Sequence, residues 1–358
     1  MPEPGVQIEG THTLAEILSQ PDVWRVALDE LSRSAEFRTI LQRTSGRTDW
    51  LFVGCGTSFY LAEAAASSWS LITGQRARAL PASEVLIFPQ LAKLDQRQTQ
   101  AVVISRSGRT SEALRAAEIL SRTQLVPTLG ITCTSESELA RVCDVTMTLD
   151  AADEKSMVMT RSFSSMLLGL LHLGASHMND GSFVGSLERA AASLAARIGS
   201  FNASIESLVA NHSFEDYVCL AQGPLFPIAR EAALKITEMS CSYAQSYHTL
   251  EFRHGPKSIV SPRICLTFFL SESGMSAESE VLSEMKGLGA VVIAICNRAS
   301  DTVRRSSDLV LELEADIPEL ALQAPFIVPA QLLGFHLGVQ KGFNPDEPRN
   351  LSRVVILD

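Results

Sequence analysis

The sequence predicts an α/β protein built from two tandem copies of one unit, each a parallel sheet flanked by helices on both faces. Strand-like and helix-like segments alternate along most of the 358 residues, and the order in the first half recurs in the second. The strand-like segments are continuous apolar runs, which is typical of parallel strands that are buried on both faces. Hydrophobic residues make up 46% of the chain, enough for two cores.

The first half contains four strand-like segments with helices between them. "DWLFVGCGTS" is followed by the helical "FYLAEAAASSWSLI", and "AVVIS" by a polar turn and the helical "TSEALRAAEILSR". "TLGITCT" is the third strand, and the helical "SELARVC" separates it from the fourth, "DVTMTL". Strands that alternate with helices in this way indicate βαβ units.

The second half repeats these features in the same order. Three pairs of residues lie 164 to 167 positions apart: Gly56 and Gly223, Gly108 and Gly274, Asp144 and Asp308. Such constancy of spacing indicates an internal repeat. We therefore expect an N-terminal helical segment over 1–45, a first copy over 46–180, a second over 200–345 and a tail over 346–358.

Composition excludes several classes of protein. The formal charge of −10 argues against a nucleic-acid-binding surface. The seven cysteines are odd in number and contain no Cys-x-x-Cys pair, which indicates reduced thiols and no structural metal. "MLLGLLHLGA" is too short to span a membrane, and the acidic, proline-broken "MPEPGVQIEG" does not resemble a signal peptide. We expect a cytoplasmic protein with no membrane or nucleic-acid partner.

Two turns in the first half form a candidate anion site. "GCGTS" carries Thr57 and Ser58, and "SRSGRTS" carries Ser105, Ser107 and Thr110, each between a strand and a helix. Backbone N–H groups at the start of a helix bind anions, and the ends of neighbouring parallel strands meet at one edge of a sheet. We therefore expect both turns to face one phosphate. The alternative is that these hydroxyls only cap helices.

The matching turn of the second half, "SESGMSAES", favours the capping alternative. Glu272 stands there in the place of Arg106, and a carboxylate would repel an anion. The sequence therefore predicts one phosphate site, in the first copy.

Candidate reactive groups lie in the second half. Glu231, Lys235 and Glu238 share one face of the predicted helix "REAALKITEMS", and His254 follows in the tight loop "RHGP". A carboxylate and an imidazole can exchange protons near neutral pH. Two alternatives remain open: Glu231 and Lys235 as an ordinary surface pair, and Glu238 and His254 as surface polar groups.

The second half also contains histidines at a spacing that metal ligands can adopt. His248, Glu251 and His254 recur at intervals of three in "HTLEFRH", but the sequence suggests no third strong ligand beside the two imidazoles. We expect no metal. His172 and His336 lie in apolar helical runs and are expected in the core.

With "GCGTS" and "ISRSGRT" in two repeated α/β units, the chain resembles the sugar isomerase (SIS) family of phosphosugar-binding domains. More specifically, it is similar to the sugar-isomerising half of glucosamine-6-phosphate synthase and to stand-alone deaminases related to it. The segments that carry this resemblance span nearly the whole chain: "LAEILSQPD", "EKSMVMTRSFS", "PIAREAALKITEMS", "EFRHGP" and "KGFNPDEPRNLSRV".

The resemblance implies roles for individual residues. Phosphate contacts are implied for Ser58, Ser105, Arg106, Ser107 and Thr110. Glu154 and Met157, in "EKSMVMT", are implied to line the sugar pocket, and Glu238 and His254 to act as the carbon base and the ring opener. Lys235 is implied to lie close to the sugar. The resemblance further implies a homodimer with the sugar site near the subunit interface, a tail over the active site, and no cofactor.

Two residues depart from the synthase. Arg106 stands where the synthase has glutamine, and Arg353 in "PRNLSRV" stands where it has its Schiff-base lysine. A guanidinium stays protonated and forms no imine, so either the imine is dispensable or another lysine replaces it, with Lys235 the nearest candidate. We expect Arg353 to bind the substrate instead, by pairing with oxygens of the open-chain sugar, or to orient the tail over the pocket. No glutaminase domain is expected either, which argues against aminotransfer.

The resemblance therefore implies a phosphosugar isomerase/deaminase that acts on an amino-sugar or ketose 6-phosphate. A deglycase that cleaves 6-phosphorylated Amadori compounds is an alternative that needs the same residues. A non-catalytic phosphosugar sensor is an alternative of another class.

Overall fold

Two five-stranded parallel sheets form the frame of the molecule in a computed structural model that describes residues 10–92 and 94–357. The strands of the first sheet are β1 (Asp49–Gly54), β2 (Arg76–Pro81), β3 (Thr99–Ile104), β4 (Thr128–Thr132) and β5 (Val145–Thr148). Those of the second are β6 (Asp216–Ala221), β7 (Ala244–His248), β8 (Ile264–Phe269), β9 (Val291–Cys296) and β10 (Leu309–Glu312).

Both sheets have the same topology. The strand orders are β2-β1-β3-β4-β5 and β7-β6-β8-β9-β10, and every neighbouring pair is parallel. Asp144 accepts a hydrogen bond from the backbone N–H of Thr128 at 2.7 Å, and Asp308 accepts one from Val292 at 2.8 Å. The predicted fold class and repeat are confirmed.

Helices cover both faces of each sheet. Those of the first half are α1 (Thr11–Leu18), α2 (Gln20–Arg33), α3 (Ala35–Thr44), α4 (Thr57–Thr73), α5 (Ala82–Ile87), α6 (Ser111–Glu118), α7 (Glu138–Val142) and α8 (Arg161–His177). Those that follow are α9 (Gly181–Asn211), α10 (Phe226–Ser240), α11 (Met275–Gly287), α12 (Asp301–Arg305) and α13 (Gln323–Gln340). The helix α9 crosses the region where the sequence predicts the two copies to join, and the predicted domain boundaries stay a prediction.

The largest apolar cluster contains residues of both sheets, including Trp50 of β1 and Tyr217 of β6. Smaller clusters lie on the other face of each sheet. The two copies therefore share a core, whereas chain length alone suggested a separate core for each. Residues Glu319–Gln340, which include α13, are long and apolar enough to span a membrane, but 89% of the relevant window is buried within the protein. This segment is a core helix.

Close packing of α10 on α13 fixes the helix that carries Glu238. A Cβ atom on Gly338 of α13 would lie 2.4 Å from the carbonyl oxygen of Met239. No larger residue fits without moving one of the two helices, because real Cβ contacts are much longer.

Two strands, β2 and β7, were not predicted. Both lie at a sheet edge, and their residues are mostly half-buried. Edge strands lack the continuous apolar run that identifies a central parallel strand. In "RARALP" and "AQSYH" polar residues interrupt such a run.

A buried carboxylate ties β2 to the start of the first sheet. Asp49 accepts hydrogen bonds from Arg76 at 2.8 Å, Arg78 at 2.6 Å and Thr99 at 2.8 Å. Burial alone would raise the pKa of Asp49, but these donors outweigh it and hold the pKa below the ordinary value of 3.8. Asp216, the corresponding residue of β6, is exposed.

We expect Asp49→Asn to lower the free energy of unfolding at pH 7 by about 2 kcal/mol, since it removes the charged acceptor of buried Thr99, half-buried Arg78 and exposed Arg76. The pKa of Asp49 is lower in the folded protein than in the unfolded chain. The stabilisation by its carboxylate is therefore complete at a pH above the unfolded-state pKa, and it is lost as the pH falls through the folded-state pKa. Urea unfolding across pH 2.5–7 measures the difference. Asp216→Asn is the matched control and should stay within about 0.5 kcal/mol of the wild type. A difference for Asp49→Asn that persists at the lowest pH would contradict this assignment.

Candidate active site

A cavity of about 230 Å³ lies where the carboxyl edge of the first sheet meets α10 and the C-terminal tail. Its lining comes from the turn after β1 (55–58), the turn after β3 (Arg106, Ser107, Thr110), Met157 and Met159, Glu238 of α10, and the tail (351–355). A larger cleft of about 550 Å³ opens at the opposite edge of this sheet, near Arg43 and Asp144, but it lacks such convergence of reactive groups. The smaller cavity is therefore the candidate site.

Each of the two polar turns contains a glycine with a positive φ. Both turns lie at the carboxyl edge of the first sheet. Gly56 and Gly108 have φ values of +54° and +61°, and a Cβ atom on Gly108 would lie 2.4 Å from Cβ of Ser137. Ser58, Ser107 and Thr110 line the cavity. Ser105 lies beneath it, buried, and its hydroxyl donates to that of Thr110 at 3.2 Å.

Arg106 is buried at the inner wall of the cavity and holds three segments together. Its guanidinium lies 3.4 Å from Glu154 and donates to the backbone carbonyls of Met157 at 3.1 Å and Arg353 at 3.2 Å. The guanidinium of Arg106 is therefore engaged by groups of the protein as well as lining the cavity. Its position depends on Glu154.

Glu154 lies behind Arg106, not on the cavity lining as the resemblance implies. Its side chain is fully buried and accepts hydrogen bonds from Ser162 and from Thr160, the latter at 2.7 Å from the backbone and 2.6 Å from the hydroxyl. Burial without solvent requires every carboxylate oxygen to find donors inside the protein, and these groups supply them. Glu154 therefore orients Arg106 and reaches the cavity only through it.

The loop that carries Met157 is held by residues that the sequence analysis missed. Glu16 of α1 accepts hydrogen bonds from the backbone of Lys155 and from Ser156, and the backbone N–H of Met157 donates to the carbonyl of Asp346 at 3.0 Å. Contacts across 139 or more positions leave no periodic signal in a sequence. Only the folded chain reveals them.

The tail closes one side of the cavity through its backbone. The N–H of Ser111 donates to the carbonyl of Val355 at 3.2 Å, and the N–H of Leu357 to the hydroxyl of Ser111 at 3.0 Å. The side chain of Arg353 pairs with Asp153 at 2.9 Å, and both are partly exposed. A segment of the tail thus lies beside the turn after β3 of the first copy.

A buried ionic cluster lies under the carboxylate of Glu238. Lys235 and Glu231 are fully buried, and the ammonium of Lys235 contacts Glu238, lies 3.3 Å from Glu231 and 3.0 Å from the hydroxyl of Thr57. The alternative of a surface pair for Glu231 and Lys235 is therefore wrong. Glu238 is the partly exposed member of the cluster, and it lines the cavity.

Burial disfavours the charge on Glu231. Desolvation, with a contribution from nearby Glu238, raises the pKa of Glu231 to about 8, although Lys235 and Thr57 oppose this shift. Among the residues that the structure describes, none hydrogen-bonds its buried Oε2 atom, which disfavours a full negative charge on this carboxyl. Burial alone would lower the pKa of Lys235, but the two glutamates outweigh it and raise that pKa. The cluster therefore holds a charged ammonium whose close counter-ion is Glu238.

His254 is not brought to the cavity within this chain. It is exposed after a short helical turn, Glu251–Arg253, and does not belong to the lining. His248 stacks on Phe226 with ring centroids 3.7 Å apart. Over the described ranges, 10–92 and 94–357, no group of three or more His, Cys, Asp or Glu side chains is arranged to hold a metal ion.

The matching turn of the second copy is filled by the protein itself. Glu319 accepts hydrogen bonds from the backbone of Glu272 at 2.7 Å and from the hydroxyl of Ser273 at 2.7 Å. Glu278 accepts from the backbone and hydroxyl of Ser271 at 2.8 and 2.7 Å. Two carboxylates thus occupy donors that, in an anion-binding turn, would face the ligand.

Comparison with known families decides the identity of the fold. The profile of the SIS domain matches residues 48–174 and 217–337, which are the two repeated units. The chain belongs to the SIS domain family. Its two tandem SIS segments correspond to the two sheets described above.

The curated relatives of this SIS protein include sugar-phosphate enzymes. The isomerising glutamine–fructose-6-phosphate aminotransferase of Methanothermobacter thermautotrophicus is 25% identical over 96% of this chain, and the chain spans 57% of the length of that protein. A protein provisionally named D-galactosamine-6-phosphate deaminase AgaS, from Streptomyces coelicolor, is 28% identical over 96% of this chain and 92% of its own length.

Solved structures give the same result. The glucosamine-6-phosphate deaminase of Thermotoga maritima is 28% identical, with a TM-score of 0.74 over 97% of this chain and 100% of its own. The tagatose-6-phosphate ketose/aldose isomerase of Escherichia coli, at 24% identity, has the same fold, with a TM-score of 0.83 over 99% of this chain and 98% of its own. The SIS protein is therefore related to an isomerising aminotransferase and to hexosamine-6-phosphate deaminases, and it shares the fold of a ketose/aldose isomerase.

We expect Glu231→Gln to become more stable relative to the wild type as pH rises from about 4.5 to about 8. The folded wild type keeps its Glu231 proton up to about pH 8, whereas the unfolded chain loses it near 4.5, so folding stability falls over this window. Glutamine has no such proton to lose. Urea unfolding at several pH values measures the difference in unfolding free energy.

Glu280→Gln, at an exposed position of α11, is the control for a Glu-to-Gln change without burial. A difference between Glu231→Gln and the wild type that stays constant from pH 5 to pH 8 would mean that Glu231 is ionised throughout.

Proposed function

We propose that this SIS protein is a phosphosugar isomerase/deaminase that acts on an amino-sugar or ketose 6-phosphate. The carrying observation is that Glu238 of the second copy lines the same cavity as Ser58, Ser107 and Thr110 of the first. A proton-transferring carboxylate and a set of phosphate donors thereby face one space of about 230 Å³. The relatives named as hexosamine-6-phosphate deaminases and as a ketose/aldose isomerase support this reading.

In the proposed reaction the two turns anchor the phosphate. The hydroxyls of Ser58, Ser107 and Thr110 and the N-terminal ends of α4 and α6 supply donors, and Arg106 adds positive charge at the inner wall. Because the phosphate on carbon 6 is held by the two turns, carbons 1 and 2 at the other end of the sugar lie at a set distance from these turns. Glu238, across the cavity, is the base for carbons 1 and 2.

Deamination then follows from proton transfer. His254 opens the sugar ring, and Glu238 takes the proton from carbon 2 of the open aldosamine and returns it to carbon 1. The product of this transfer is a 2-imine, which water hydrolyses to the ketose and ammonia. With a hydroxyl in place of the amine, the same proton transfer interconverts aldose and ketose. No imine to a lysine is needed, which is compatible with Arg353 at the synthase's lysine position.

A second copy of the chain supplies His254 in this proposal. Within one chain His254 is exposed and outside the cavity lining, so the site has a base but lacks the ring opener. A homodimer with the site at its interface completes it. We place this enzyme in the cytoplasm.

Two alternatives use part or all of the same site. A 6-phospho-Amadori deglycase would use the same base and ring opener on a bulkier amine. A phosphosugar sensor would need only the turns, and the buried pairing of Glu238 with Lys235 is then unexplained. Substrate assays separate the three.

We expect ammonia release from glucosamine 6-phosphate or galactosamine 6-phosphate, measured with a coupled assay on the purified protein, or interconversion of tagatose 6-phosphate with its aldose. Glu238→Gln should lower turnover by roughly 100-fold or more, because the amide cannot accept the carbon proton. Amine release from a 6-phosphorylated fructosamine alone would identify a deglycase. If calorimetry shows that the protein binds these compounds but none of them is turned over, the enzymatic proposal is refuted and the protein is a sensor.

Mixing two inactive variants tests whether the partner donates His254. Glu238→Gln and His254→Asn dimers are each expected to be inactive. After subunit exchange, half the dimers are mixed and each has one intact site, so activity should recover to about one quarter of the wild type.

Each unmixed variant, taken through the same exchange procedure, is the control. Differently tagged subunits show whether mixed dimers have formed. If mixed dimers form and activity does not recover, Glu238 and His254 of one site belong to the same subunit.

A further inference from the structure

Thr57 lies in the turn after β1, one of the two proposed phosphate-binding turns of the first copy. Its side chain contacts the ionic cluster of the second copy. Its side chain is buried, with 6% of the residue exposed. Its hydroxyl lies 3.0 Å from Nζ of Lys235 and 3.3 Å from Oε1 of Glu231. Thr57 begins α4, whereas Lys235 and Glu231 belong to α10. One hydroxyl therefore joins the two copies at the site.

The hydrogen bonds of this hydroxyl are already assigned inside the protein. It has one proton, which it donates to Glu231, and it accepts a proton from Lys235. The ammonium of Lys235 has three protons, and its three neighbours are Thr57, Glu231 and Glu238. No proton of the hydroxyl is left for a phosphate oxygen.

Ser58, the next residue, differs in this respect. It lines the same cavity, and across the described residues no hydrogen bond engages its hydroxyl. Ser58 is thus free to serve a ligand, whereas Thr57 is committed to the cluster. The two neighbours form a matched pair for an experiment.

We propose that the Thr57 hydroxyl is a positioning group for the Lys235–Glu238 pair and not a phosphate ligand. The inference rests on the proposed function, because it concerns how Glu238 is held as the base. Without the hydroxyl, one proton of a buried ammonium has no acceptor and Glu231 loses a donor. A buried N–H without an acceptor is costly, so we expect the Lys235 ammonium to shift toward another acceptor and the paired Glu238 to move with it.

The experiment compares Thr57→Val, Thr57→Ser and Ser58→Ala in the full-length protein. Steady-state kinetics on the hexosamine 6-phosphate that is turned over give kcat and KM, and calorimetry with inorganic phosphate gives Kd. We expect Thr57→Val to lose roughly tenfold or more in kcat, with KM and Kd within about twofold of the wild type. Thr57→Ser restores the hydroxyl and should recover most of the turnover. Ser58→Ala should raise KM and Kd.

Two results would overturn the inference. One is a Kd for Thr57→Val raised as much as for Ser58→Ala with kcat retained, since the hydroxyl would then be a phosphate ligand. The other is a Thr57→Val protein that equals the wild type in kcat, KM and Kd.

A readout without catalysis keeps this inference separate from the proposed function. If no phosphosugar is turned over, the proposed function fails, and a double-mutant cycle of Thr57→Val with Lys235→Met tests the contact through unfolding free energies. We expect non-additive effects, and additive ones would overturn the inference. Glu231→Gln replaces Lys235→Met in the cycle if the latter does not fold.

Discussion

The burial of the Lys235 ammonium between the carboxylate of Glu238 and the buried carboxyl of Glu231 is the constraint on which the rest of the site depends. An ion removed from water loses several kcal/mol of solvation, so its partners must be in place before the helix can pack. Glu231 and Glu238 come from the same helix, but Thr57 comes from the other copy, 178 positions away. The charge can therefore be buried only when the two SIS segments are docked. Within the second copy, Gly338 allows α13 to approach α10, the helix that carries Lys235, at backbone distance.

The cavity is consequently an assembly of distant segments and not a feature of either copy alone. Glu154 sets Arg106, Arg106 holds the tail and the loop through their carbonyls, and Glu16 holds the same loop from the far side. Each of these groups is buried or half-buried and hydrogen-bonded, so the walls are rigid where they meet. The exposed member of the set, the Arg353–Asp153 pair, is the part that solvent can weaken.

Sequence reasoning succeeded where the signal is local. The central strands are apolar runs, the helices are bounded by turn residues, and Gly56 and Gly223 share a positive φ because the same turn recurs. It missed β2 and β7, whose edge positions weaken the apolar pattern. It also expected a surface pair as one possibility for Glu231 and Lys235, since spacing alone cannot tell which face of a helix is buried. The placement of Glu154 behind Arg106 and the bonds of Glu16 and Asp346 depend on tertiary contacts without any periodic trace.

The carboxylate of Glu319 makes the two matching turns chemically unequal. It accepts hydrogen bonds from the backbone of Glu272 and from Ser273, so the donors of this turn are satisfied inside the protein. The second turn is therefore complete without any bound anion, whereas the first leaves hydroxyls such as that of Ser58 at a cavity.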